Sequence, residues 1–404
     1  MRKIILALIL TISATGAYSQ KKNVTRAKNK ILIDAPDFAG AREYIKPALT
    51  DPTSINLAYT WYIAGLIGYT ENDVELKKQM IGEKFDADKK GKAILESYDY
   101  FLKAYDLDTV PDKRGRVKIR YQGEIKDKIS EYYTNQANLL NYGAQLFEKK
   151  KYNEALNAFE LFLGIPDLPM MKGELEKDTT FYMIKYYSAV ACVNAGLNDK
   201  AIAYFEDLKD DGYEEMLVHQ LLYEQYTKKN DTVNFVKTLK EGIAKFPKEA
   251  WFLQNLINYY IFTGQSTEAL LYVNRAIESD PKSAQYLYIK GNLSESMGKL
   301  EEAQAAFDKA IELDPTIADA YAGIGRMHFN RAVKMSDEAN EIKDNKKYNA
   351  AKKKADDVFR KSIPFFVKAV ELKPDELEYK QTLKTLYYRL QMDKEFDEIS
   401  KELQ

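Results

Sequence analysis

The chain has 404 residues with 60 basic and 61 acidic side chains, a formal net charge of −1, two histidines and one cysteine, Cys192. Near-balanced charge excludes the strong basic footprint of a nucleic-acid-binding domain. A single thiol excludes an internal disulfide framework, so stability must come from packing, and Cys192, in the small-residue run Ala189–Cys192, reads as a buried structural thiol.

The first stretch concerns destination. Met1-Arg2-Lys3 is a short basic start, Ile4 to Ile12 is almost wholly apolar, and Ala17 and Ser19 stand three and one positions before Gln20. This is the pattern of a secretory signal peptide over residues 1–19, cut after Ser19, and it predicts a periplasmic protein. The apolar run is too short to span a hydrocarbon layer of about 30 Å. No later stretch reaches that length, so the mature chain is expected to carry no transmembrane segment.

Residues 20–35 are basic and polar without a clear period and are expected to be a lead-in. In residues 36–128 helical signals return with interruptions. Trp61 and Gly65 stand four apart, and Phe101, Ala104, Leu107 and Asp108 repeat the spacing of Phe307, Ala310, Leu313 and Asp314 far downstream. Asp86 to Gly91 begins like a calcium loop, but Lys90 replaces an oxygen ligand and Ser97 stands where a bidentate Glu is required, so no metal is expected. In residues 109–128, Lys113, Arg114, Arg116, Lys118 and Arg120 alternate with Val117, Ile119 and Tyr121, which predicts an extended segment or turn.

From 129 onward the units are regular. Leu139, Gly143, Tyr152, Ala155 and Phe159 form one; Gly196, Ala201 and Phe205 belong to the next; Leu222, Tyr226, Phe235 and Gly242 to a weaker third. Pro247, Pro281 and Pro315 then close segments at one constant interval, each thirty-four positions after the last. Between the last two prolines run Leu287, Gly291, Gly298, Ala303, Phe307 and Ala310, preceded one interval earlier by Leu256, Tyr260, Gly264, Ala269 and Ala276. Each unit is two short amphipathic helices that cannot bury their apolar stripes alone, so stacking is obligatory.

The next closing proline, Pro374, comes much later than that interval would place it, so twenty-five residues are inserted after Pro315 and lengthen both helices of that unit. His328, Ala332, Met335, Ala339 and Ile342, then Tyr348, Ala351, Ala355 and Val358, give two seams around the polar 343–347. Their alternating spacings of three and four predict a helical hairpin over about 331–355 that projects from the stack. Residues 377–404 form a charged pair of helices that fits a solubilising cap.

The A-x3-F pattern with its closing proline resembles the tetratricopeptide repeat. The resemblance implies an all-α, right-handed superhelical solenoid of antiparallel helix pairs, continuous over most of 36–404, that acts as a scaffold for other molecules. In that family the first helix of each pair lines the concave face. Carried over, this assigns Trp251, Gln254 and Asn258 from one helix, Gln285, Tyr288 and Asn292 from the next, and Asp319, Ala322 and Arg326 from the third. Each trio is spaced three then four and so shares a helix face. Exposed charges on second helices, such as Glu301 and Lys309, are expected to matter little. The lysines that some relatives use to hold a C-terminal carboxylate are absent; Gln254, Tyr288 and Gly323 stand there instead.

Chemistry leaves no mark. His219 and His328 are far apart within helical patterns, and no paired-Cys, H-E-x-x-H, phosphate-loop or nucleophile-elbow motif occurs. The expectation is a non-catalytic scaffold, without cofactor or metal, that binds a protein or peptide. The competing expectation is an envelope protein that binds carbohydrate or lipid through the aromatic groove and the basic 113–120 stretch.

Overall fold

The computed structural model describes residues 20–111, 114–135 and 138–403. The signal-peptide expectation at 1–19 lies outside the described residues, as does Lys113 of the basic stretch. Among the described residues all regular structure is helical, with no strand. The chain divides between Asp231 and Thr232 into two compact units.

Among the described residues of the first unit, 20–31 are helical (α1), where a polar lead-in was expected. Val24, Ala27 and Ile31 are spaced three and four apart and are buried, which is enough to dock a helix whose other faces are lysine-rich. There follow α2 (Phe38–Ala48), α3 (Ala58–Met80), α4 (Ala87–Leu107), α5 (Gln122–Thr134), α6 (Leu139–Glu148), α7 (Tyr152–Gly164), α8 (Thr179–Asn194), α9 (Asn198–Leu208) and α10 (Glu215–Lys228). Helices α3/α4, α6/α7 and α8/α9 pack as pairs. The former calcium-like segment is a helix start: Asp86 accepts from the backbone N–H of Lys89, and Lys90 turns inward to donate to Gln79 Oε1 at 2.6 Å. The basic stretch is non-helical, as its alternation predicts, and Asp108 pins its end by accepting from the backbone N–H groups of Arg120, Tyr121 and Gln122. Cys192 is fully buried, and burial pushes its thiol up to about 11.

The second unit contains α11 (Thr232–Lys245), α12 (Ala250–Phe262), α13 (Ser266–Ser279), α14 (Ala284–Ser296), α15 (Leu300–Leu313), α16 (Ala318–Asn340), α17 (Asn345–Leu372), α18 (Leu377–Arg389) and α19 (Asp393–Glu402). Helices α11, α13, α15 and α17 stop just short of Pro247, Pro281, Pro315 and Pro374, each at the same remove, because a ring without an N–H cannot continue the ladder.

One packing device recurs in both units. A Cβ at Gly291 would stand 2.5 Å from the Phe307 ring, and one at Gly323, in the next pair, 2.7 Å from the same ring. Phe307 is thus clamped between two bare backbones and is fully buried. Gly65 lies against Phe101, Gly143 against Phe159 and Gly325 against Phe366 in the same way. One repeat before Gly291 and Phe307 the buried pair is Ile257 and Val273, which moves bulk from one helix to the other, the kind of swap a core tolerates.

Candidate protein-interaction site

The first helices of the second unit, α12, α14, α16 and α18, are joined in series by side chains from the predicted trios. Gln254 on α12 donates to the Tyr286 hydroxyl on α14 at 3.3 Å. Arg326 on α16 donates to Asn292 Oδ1 on α14 at 2.9 Å and chelates Glu295, with Nε–Oε2 3.1 Å and Nη2–Oε2 2.6 Å. Asp319 on α16 accepts from the Tyr379 hydroxyl on α18 and from Lys373 Nζ at 2.7 Å.

Exposure varies along this stripe. Gln254, Asn258 and Gln285 are exposed, Trp251, Tyr288, Asn292, Asp319 and Arg326 are half-buried, and Ala322 is buried. The Trp251 ring meets Phe252 edge-on at 5.1 Å, and Tyr288 leans on Phe307 at 6.2 Å. Burial opposes the charge on Asp319, but the hydrogen bonds from Lys373 and Tyr379 outweigh it and hold its carboxyl below the usual range. For Arg326, burial likewise opposes the charge and Glu295 outweighs it, raising the guanidinium pKa further.

Between α16 and α18 the stripe opens into a cavity of about 290 Å³, with Ala322 and Arg326 on one side and Glu378, Gln381 and Thr385 on the other. These last three are a fourth trio, spaced three then four. They were legible: the offset that separates Pro315 from Pro374, applied to Asp319, Ala322 and Arg326, lands on them. Glu295 was also missed, although it stands on the same face, three positions after Asn292. Pairing changes what Arg326 can offer, since much of its donor capacity is already spent on a carboxylate that is only 13% exposed.

Antiparallel helix pairs that recur at a thirty-four-residue interval, closed in the second unit by Pro247, Pro281, Pro315 and, after the insertion, Pro374, and several of them keyed by a glycine under a phenylalanine of the partner helix, decide the motif. The hairpins are tetratricopeptide-type repeats. Residues 203–324 also match the family described as the auxiliary subunit of N-terminal acetyltransferase A. No curated protein matches the chain. Among solved structures, the chain is similar to the C-terminal part of a tetratricopeptide-repeat protein from Cytophaga hutchinsonii, with 18% identity over 65% of this chain and 93% of that one and a TM-score of 0.41. A tetratricopeptide-repeat protein from Bacteroides fragilis gives 21% identity over 62% and 97% of the two chains and a TM-score of 0.30. YrrB, described as a tetratricopeptide-repeat protein with an unusual peptide-binding site, gives 19% identity over 45% and 88% and a TM-score of 0.30.

His328 lies on the tetratricopeptide helix α16 and stacks on Phe365 at 5.7 Å; burial, with Lys361 and Arg331 nearby, lowers its pKa. His219 sits in α10 of the other unit, its Nδ1 2.7 Å from the Glu215 carbonyl oxygen. Among the described residues no helix is long and apolar enough to cross a membrane.

Proposed function

We propose that this chain is a non-catalytic tetratricopeptide scaffold, exported to the cell envelope, that holds a segment of a partner protein along the first-helix stripe of its second unit. The observation that carries the reading is the run of four trios on successive first helices, bridged to one another and ending in the cavity beside Gln381. Half-buried aromatic and arginine side chains ringed by polar groups are the composition that dominates protein contacts, and exposed amides such as Asn258 and Gln285 can both donate to and accept from a bound backbone. Export rests on the pattern of residues 1–19.

Photo-crosslinking in the native envelope tests it. A photoreactive side chain at Gln285 or Gln381 is expected to trap the same partner protein, whereas one at Lys309, on the exposed face of α15, traps none. Crosslinks confined to glycan or lipid, or equal at all three positions, would overturn the reading. Intact-mass analysis of the recovered protein is expected to give an N-terminus at Gln20; uncleaved Met1 on cytosolic protein would overturn export.

A further inference from the structure

The extension of α16 past Asn330 builds a second, larger cleft that the repeat pattern does not call for. It measures about 1340 Å³ and lies between α16 and the α14–α15 hairpin. Its walls differ in charge. Arg326 and Glu295 pair with each other across the base of the cleft, which leaves Glu301 and Asp308 on the α15 wall, with no basic residue beside them, and Arg331 and Lys334 on the α16 wall, with Glu338 at its far end. Among the described residues Arg331, Lys334 and Glu301 form no ion pair, and all three are exposed. Apolar surface sits between the walls: Leu300 is 45% exposed, and Met327 and Met335 are half-buried.

Spacing tells what shape fits. Along α16 the lining positions Met327, Arg331, Lys334 and Glu338 follow a 4-3-4 pattern, and along α15 Glu301, Ala305 and Asp308 follow 4-3. Two helices that turn heptad-spaced faces toward one open cleft are two sides of a bundle seam awaiting a third helix. From Met327 to Glu338 the seam runs about 17 Å at about 1.5 Å per residue, three helical turns. Thioether side chains adapt to whatever apolar stripe enters.

We infer that this cleft takes an amphipathic helix of a partner protein, with an apolar stripe edged by basic side chains toward α15 and acidic ones toward α16. The cleft adjoins the first-helix stripe and shares Asn292 and Arg326 with it, but the residues that give it its charge pattern, Glu301, Asp308, Arg331 and Lys334, lie outside the stripe.

The purified chain can be titrated, by fluorescence anisotropy, with three short synthetic helical peptides of equal length that share one leucine stripe. One has a glutamate edge and a lysine edge, the second lysine on both edges, the third glutamate on both. The two-signed peptide is expected to bind at least tenfold more tightly than either other. That order is not one the chain's slight net negative charge would produce, since net charge alone favours the all-lysine peptide. Arg331→Glu with Lys334→Glu, verified as folded by circular dichroism, is expected to make the all-lysine peptide the tightest. Tyr288→Ala is expected to leave the two-signed affinity unchanged, which separates this surface from the stripe. No saturable binding of the two-signed peptide, or a peptide order unmoved by the charge reversal, would overturn the inference. So would self-association of the chain abolished by the same reversal, because the occupant would then be a second copy.

Discussion

The hairpins α14–α15 and α16–α17 begin alike and end differently. Over 284–296 in one first helix and 318–330 in the other they share one packing scheme, a glycine under a phenylalanine of the partner helix: Gly291 with Phe307, Gly325 with Phe366. Beyond Asn330 the longer pair continues to Asn340 on α16 and starts correspondingly earlier, at Asn345, on α17. In residues 331–358 the buried side chains are Ala332, Ser336, Ala339 and Ala355. Small residues let two helices lie close without contributing much apolar area, so the extension is held by the hairpin beneath it and by one anchor: Arg389 of α18 donates to Ser336 Oγ at 2.5 Å and lies 4.2 Å over the Phe359 ring. The insertion is therefore tied down at its base, while from 340 to 354 no side chain is buried. A repeat's stability is thus lodged in the length that every repeat shares, and added length shapes surface.

The shared scheme can be broken at its centre. Phe307→Ala removes a ring that both hairpins hold, and is expected to cost about 3–5 kcal/mol; chemical denaturation monitored by circular dichroism measures it, and a loss under about 1 kcal/mol would mean that the clamp relaxes into the space. Gly291→Ala, which pushes a methyl group against that ring, is expected to cost about 1–3 kcal/mol by overpacking, detectable as a lower denaturation midpoint at unchanged slope. In the extension, replacing residues 331–355 by a short turn removes only alanine and serine from buried positions. The melting temperature is expected to fall by a few degrees, corresponding to about 1–2 kcal/mol, part of it from the lost Arg389 anchor. Wholesale unfolding of that variant would place the extension inside the core and end the contrast.

The smallest effect is electrostatic. Asp319 has a depressed pKa in the folded chain, so its pairing with Lys373 and Tyr379 contributes stability that is complete above the ordinary value of 3.8 and is lost as pH falls through the lower folded value. Asp319→Asn is expected to flatten the stability-versus-pH curve below about pH 4 and leave its shape near neutrality alone.

Much of this was legible because repeats write the same instruction many times. The closing prolines set the ends of α13, α15 and α17, and the excess length before Pro374 located the long hairpin. Other features depend on distances that sequence spacing does not encode. Nothing in the stretch around Arg326 says that Glu295, on the preceding repeat, will chelate it. Nor does an exposed α15 face announce that a lengthened α16 will overhang it, which is why Glu301, read from sequence as an inert surface charge, lines the larger cleft. In α1 the three buried residues were outvoted by the lysines on its other faces. A helical period in a short polar segment is a weak signal until a partner surface is present to receive it.

The most direct test of the stripe is the affinity of the crosslinked partner, measured by calorimetry against single variants with circular dichroism as the folding control. Tyr288→Ala and Gln381→Arg are each expected to weaken binding at least fivefold, about 1 kcal/mol. Lys309→Ala, which removes only an exposed pairing with Glu312 at 2.8 Å, is expected to leave it unchanged. Equal affinity for all three variants and the unaltered chain would contradict the first-helix stripe as the binding surface.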